Sequence, residues 1–231
     1  MADEQKPQVR LEIAHVLFID IVGYSKLLID DQAEAVEELN QLVRNVRAVR
    51  EAEAAGQLIR LPAGDGMALA FTSSVEAPVE CAIEISQALR AKPHLPLRMG
   101  IHSGPVHQVA DVNQRANIAG AGINLAQRVM DCGDAGHILL SKRVADDLAQ
   151  YRRWQPYLHE VGECEVKHGV VISLVNVHAD GVGNPDLPCR LAKANAPVEI
   201  APERRRSPAL VGILVLGACA TRSGDSLDHP T

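Results

Sequence analysis

The run from Val16 to Ser25 constrains this chain most: an apolar stretch stops at a single carboxylate, Asp20, and Gly23 ends it. Continuous apolar character over so few residues suits a central strand covered on both faces. A charge in such a strand needs a partner or a metal, because an isolated buried carboxylate is strongly disfavoured. A second place of the same kind lies at Leu61 to Phe71, where Asp65 sits between Gly64 and Gly66 and an apolar strand follows. Read locally, each aspartate is a turn residue satisfying nearby backbone. Read together, two aspartates at neighbouring strand ends suit a pair of hard divalent cations holding a triphosphate.

The 231 residues provide one domain with a tail. Hydrophobic residues make up 47% and charged residues 23%, an ordinary balance for a globular chain. Aromatics at 3% leave little for stacking on single-stranded bases, and a net charge of −6 disfavours phosphate backbones, so no nucleic-acid partner is expected. Five cysteines without a CxxC pair read as reduced packing thiols, and the polar start carries no signal peptide, so the chain is expected in the cytoplasm.

Leu39, Leu42, Val43, Val46 and Val49 recur at helical spacing, which predicts one helix from about Ser25 to Ala54. A hairpin about Gly64–Gly66 follows, then a helix over Ser74–Ala91 with Pro78 in its first turn. Leu97 to Asp111 predicts two strands about a turn at Ser103–Pro105. After a polar loop over 112–116, Asn117 leads toward a helix on which Asn124 and Arg128, four apart, share one face. A carboxamide and a guanidinium along one edge suit a ribose oxygen and a phosphate, although an amphipathic helix also carries a polar edge by default. Gly136–Ser141 reads as a strand, with Ser141 capping a helix over 142–150. Tyr157 to Val177 reads as two strands about a turn carrying Lys167. Residues 1–8 are expected to be disordered. From Asp180 a linker and disordered tail are expected, and the tail's 12-residue apolar run, Ala209–Ala220, is too short for a stable membrane span. His102 and His107 flank the expected Ser103–Pro105 turn without a third ligand, so zinc is not expected there.

In this order the motifs resemble the catalytic domain of class III nucleotide cyclases, over about Val9 to Ala179. Phe18 to Ser25 looks like the family's first metal motif, Gly64 to Gly66 like its second, Asn124 to Arg128 like its transition-state motif, and Val166 to Gly169 like its phosphate-lysine hairpin. The resemblance implies an α+β, ferredoxin-like βαββαβ fold with extra C-terminal strands, working as a head-to-tail homodimer. It implies two divalent cations per site, Mn²⁺ or Mg²⁺, held by Asp20, Asp65 and the Ile21 carbonyl. Arg128 would steady the α-phosphate, Asn124 the ribose, and Lys167 the terminal phosphates of a nucleoside triphosphate. The metal residues of one subunit would meet the Asn, Arg and Lys of its twin.

The base pocket departs from the family pattern. Adenylate cyclases generally carry a lysine four residues before the second aspartate and an aspartate seven before the asparagine; here those places hold Leu61 and Asn117. The guanylate-type glutamate and cysteine are missing too. Arg60 neighbours Leu61, and strand alternation turns it to the other face unless the register shifts. Asn117 can donate and accept, which suits the O4/N3 edge of uracil. In this the chain resembles the pyrimidine cyclases of Pycsar antiphage systems, which make cyclic UMP or cyclic CMP for a downstream effector protein. The alternatives are an adenylate cyclase with an unorthodox pocket and an inactive nucleotide-binding sensor dimer.

Overall fold

The Val16–Asp20 run is paired on both sides. In the computed structural model, which describes residues 11–110 and 116–194, this run lies in β1 (Leu11–Ile21) at the middle of the sheet. β1 pairs antiparallel with β3 (Gly66–Phe71) on one side and β4 (Leu97–Ala110) on the other. β2 (Leu58–Ala63), β6 (Ile138–Ser141), β7 (Leu158–Val166) and β8 (Val170–Val177) complete the order β2-β3-β1-β4-β6-β8-β7, and β5 (Ala116–Ala119) pairs with β4. The β4–β6 pair is parallel, joined through α4 (Ala121–Met130), as a crossover connection requires.

The two faces of β1 explain its unbroken apolar character. Leu17, Ile19 and Ile21 face a layer made by α1 (Ile29–Asn45), α2 (Arg47–Ala54), α3 (Ala77–Leu89) and α5 (Lys142–Ala149). Ala14, Val16 and Phe18 face α4, through Ala126 and Met130. Each fully buried Leu, Ile or Phe contributes about 1.5–3 kcal/mol, so this strand anchors the domain from both sides. Among the described residues no helix is long and apolar enough to cross a membrane.

Four local expectations change. The single helix over 25–54 is two, because Val46 takes an extended conformation between α1 and α2. The Glu84 carboxylate on α3 accepts from the backbone N–H of Arg47 and Ala48, and so caps α2 from outside the segment. The predicted turn at Ser103–Pro105 is instead the interior of one long strand, β4. Its glycines serve close packing: a Cβ on Gly100 would sit 2.2 Å from the Met130 nitrogen, and one on Gly104 would sit 2.9 Å from Gly122 Cα. Asn117 lies on strand β5 opposite Val109, past the loop in which the chain reverses. Ser141 does occupy the cap position of α5, but its hydroxyl bonds His102 Nδ1 at 2.8 Å and makes no cap hydrogen bond.

Residues 180–194, where a linker is expected to begin, carry ordered structure on the domain. Asn184 donates to the Ala135 carbonyl, His137 Nε2 lies 2.8 Å from the Asp186 carbonyl, and α6 (Cys189–Ala194) buries Leu191 against Cys132, Cys164 and Val166. The expected terminal segments, residues 1–8 and the apolar run at Ala209–Ala220, lie outside the described residues.

Candidate active site

Asp20 stands next to last in β1, on the α4 face, and its register partner across the β2–β3 hairpin is Gly66. Asp65 directly precedes Gly66 in a two-residue turn whose first residue, Gly64, has φ +62°, a conformation that favours glycine. The two strands approach so closely that a Cβ on Gly66 would lie 2.1 Å from the Ile19 carbonyl oxygen. The hairpin therefore delivers Asp65 beside Asp20, as the spacing predicts.

Arg98 on β4 is the register partner of Asp20 on the other side. Its Nε lies 2.9 Å and its Nη2 2.7 Å from Asp20 Oδ2, and Nη2 also lies 3.3 Å from Asp131 Oδ1, just past α4. Burial pushes the Asp20 carboxyl above the usual carboxylate range; Asp65 and Asp131 push it the same way, and Arg98 opposes them. Asp20 and Asp131 share one guanidinium, and Asp65 adds its charge to that of Asp20, which leaves a negative balance that a cation would relieve.

The donor set fits hard divalent ions. Asp20, Asp65 and the Ile21 carbonyl offer oxygen only. Among the described residues no group of three or more His, Cys, Asp or Glu forms a protein cage. A cation bound there must complete its shell with water and phosphate oxygens, the habit of Mg²⁺ at nucleotide sites.

Asn124 is exposed and Arg128 half-buried, one turn apart on α4, while Ala126, Val129 and Met130 turn inward. Lys167 is exposed at the tip between β7 and β8. Arg128 and Lys167, with Asp131, Val166 and Arg190, line a cavity of about 350 Å³. The end of α4 is tied to β7 beneath this cavity: Cys132 Sγ contacts both the Arg128 carbonyl at 3.3 Å and Cys164 Sγ at 2.8 Å.

The base-pocket candidates separate. Leu61 packs on the α4 side with Phe18 and Ile123, and its strand β2 approaches β5, which carries Asn117. The Asn117 side chain is outside the described residues. Arg60 is not placed with them. It faces α2, where its Nε lies 2.7 Å from Glu53 Oε1, although the N–H is not aimed along that contact. Regular alternation along β2 accounts for this.

Sequence reasoning missed Arg98, Asp131 and Arg190. Arg98 had a visible signal, a lone charge inside an apolar strand. Asp131 lies three residues beyond Arg128, close enough to have been read with it. Arg190 had none, since it comes from the segment taken for a linker.

A family model described as the adenylate and guanylate cyclase catalytic domain matches residues 7–177. The chain belongs to this family. A curated relative named putative adenylate cyclase 3, from Rhizobium meliloti (strain 1021), is 31% identical over 143 residues. That match covers 59% of this chain and 23% of the relative, so the chain spans less than a quarter of the relative's length. Among solved structures, the fold is similar to the adenylyl cyclase CyaB from P. aeruginosa, with a TM-score of 0.62 and 19% identity over 74% of this chain and 96% of that one. It is similar also to the guanylate cyclase domain of RhGC from Catenaria anguillulae in complex with GTP, at 0.59 and 20% over 74% and 98%. These likenesses show the mixed α+β cyclase fold. The cyclase family match ends at residue 177, so α6 lies beyond it.

Proposed function

We propose that the chain is a metal-dependent nucleotide cyclase that converts a nucleoside triphosphate to a 3′,5′-cyclic nucleotide and pyrophosphate. The observation that carries this is the placement of Asp65 next to Gly66, the register partner of Asp20, together with the cavity lined by Arg128 and Lys167. Asp20, Asp65 and the Ile21 carbonyl would hold two divalent cations, Mn²⁺ or Mg²⁺. Bound there, the metals supply positive charge to the phosphate oxygens and lower the pKa of the ribose 3′-hydroxyl. The 3′-hydroxyl gives up its proton to water, and its oxygen forms a bond to the α-phosphorus as the bond to pyrophosphate breaks. Arg128 meets the charge that builds on the α-phosphate, Asn124 orients the ribose, and Lys167 holds the terminal phosphates.

The working unit of this proposal is a homodimer with composite sites, the aspartates of one subunit facing the Asn, Arg and Lys of its twin. Asn124 and Lys167 open to solvent, and Leu28 and Ile29, just beyond the metal strand, are 75% and 84% exposed; both facts support a partner surface.

For the base we favour a pyrimidine, UTP or CTP, because Leu61 and Asn117 carry neither purine code. The product would then be a cytoplasmic second messenger for a cyclic-nucleotide-responsive effector in antiphage defence. The name of the Rhizobium meliloti relative favours a second reading, ATP to cyclic AMP. Incubating the protein with Mn²⁺ and each of the four NTPs, with products identified by mass, separates these. Cyclic UMP or CMP supports the first, cyclic AMP the second, and bound nucleotide without product an inactive sensor.

A further inference from the structure

We infer that Arg190 on α6 is a phosphate-binding residue of the substrate site, placing α6 in the active site alongside the cyclase domain. This rests on the cyclase reading above. Arg190 lines the same cavity as Arg128 and Lys167, which makes three cations against Asp131. Asp131 is already drawn to Arg98, so the cavity presents a positive balance. Its volume of about 350 Å³ falls within the range of small-ligand sites, roughly 300–1,000 Å³.

The guanidinium is held in place. Arg190 Nη2 donates to the Glu165 carbonyl at 2.8 Å, two residues before Lys167, which fixes one edge of the fork and leaves further donors for a ligand. The helix beneath it is anchored at both the backbone and the core. Cys189 N–H donates to Asp134 Oδ2 at 2.7 Å, and Leu191 is 1% exposed among Cys132, Cys164 and Val166. The segment leading into it is fixed by Asn176 Nδ2 donating to the Asn184 carbonyl at 2.7 Å and by the His137–Asp186 contact. An arginine pinned this way meets two phosphate oxygens at once, whereas Lys167 offers a point charge on a mobile stem. The chemistry that would occupy the spot is the β,γ-phosphate end of the substrate, and afterwards pyrophosphate.

The test uses the full chain with Mn²⁺ and compares Arg190→Ala, Arg190→Lys and, as an equal charge change elsewhere on the surface, Arg44→Ala. Pyrophosphate binding is titrated by calorimetry, and KM and kcat are measured with whichever NTP is turned over. Arg190→Ala should weaken pyrophosphate about tenfold and raise KM by a similar factor, with a smaller change in kcat. Arg190→Lys should recover part of the loss, and Arg44→Ala should stay within about twofold of the parent. Equal pyrophosphate affinity in the parent and Arg190→Ala, or no binding by the parent, would overturn the inference. A lowered melting temperature without a change in phosphate affinity would overturn it too, by showing that Arg190 only clamps Glu165. If no NTP is cyclised while the tenfold difference in pyrophosphate affinity persists, the cyclase reading fails and the phosphate role of Arg190 stands.

Discussion

Arg98 places Nε 2.9 Å and Nη2 2.7 Å from the same carboxylate oxygen of Asp20, from the strand next to it. The guanidinium holds the charge that the metals would take over. Removing it leaves a half-buried carboxylate beside Asp65 and Asp131. Arg98→Ala should therefore lower stability by about 1–3 kcal/mol at neutral pH. Mn²⁺ should restore more of the melting temperature in the variant than in the parent. A thermal-shift titration with and without Mn²⁺ checks this, and an equal Mn²⁺ shift in both proteins would contradict it.

Protons and cations compete for Asp20. Its pKa is raised by burial, with Asp65 and Asp131 adding to the shift, so it takes up a proton at a higher pH than an exposed aspartate. As pH falls through that raised pKa, apparent Mn²⁺ affinity should drop. Calorimetric titration of Mn²⁺ across the acid range measures this directly, and Asp20→Asn should lose most of the pH dependence together with most of the affinity.

His102 predicts a separate acid sensitivity. Burial, with a smaller contribution from Arg143, lowers its pKa from 6.5 to about 4, and its Nδ1 pairs with the Ser141 hydroxyl. The fold holds the neutral ring, so its stability is intact above the unfolded pKa. Between about 6.5 and 4 the unfolded chain binds the proton first, and stability falls with pH. At about 1.4 kcal/mol per pKa unit, less solvent screening, the loss approaches about 2 kcal/mol. Chemical denaturation of the parent and His102→Gln at pH 7 and pH 4.5 should give a flatter pH slope in the variant.

Gly66→Ala tests the hairpin that presents Asp65. The added methyl would meet the Ile19 carbonyl oxygen at 2.1 Å and Asp20 Cα at 3.0 Å, both backbone, so β1 and β3 must separate. Destabilisation of about 1–3 kcal/mol is expected, with weaker Mn²⁺ binding because the two aspartates move apart. Gly64→Ala, which meets no neighbour but sits at φ +62°, should cost about 1 kcal/mol.

Short-range patterns in the sequence carried most of the site. The apolar run into Asp20, the Gly64–Gly66 turn and the i,i+4 pair Asn124–Arg128 each lie within a dozen residues, and each stands where its local pattern puts it. What escaped reading depends on contacts distant in the chain. The break at Val46 is stabilised by Glu84, on another helix. Gly104 looked like a turn residue because the helix that needs its bare backbone, at Gly122, lies eighteen residues later. Arg98 gains its meaning from Asp20 across a strand ladder, and Arg190 from a cavity whose other walls come from α4 and the β7–β8 tip. Arg60 shows the reverse: simple strand alternation predicted its turn away from Leu61, and Glu53 receives it.

In the proposed dimer the metal carboxylates of one subunit meet the asparagine–arginine edge of the other, and mixing two inactive variants probes that shared site. Asp20→Ala and Arg128→Ala should each lose cyclic-nucleotide formation, by at least about a hundredfold. Combined and allowed to exchange subunits, they should recover activity through heterodimers that hold one intact site. Heterodimers that form yet make no product would contradict the shared site.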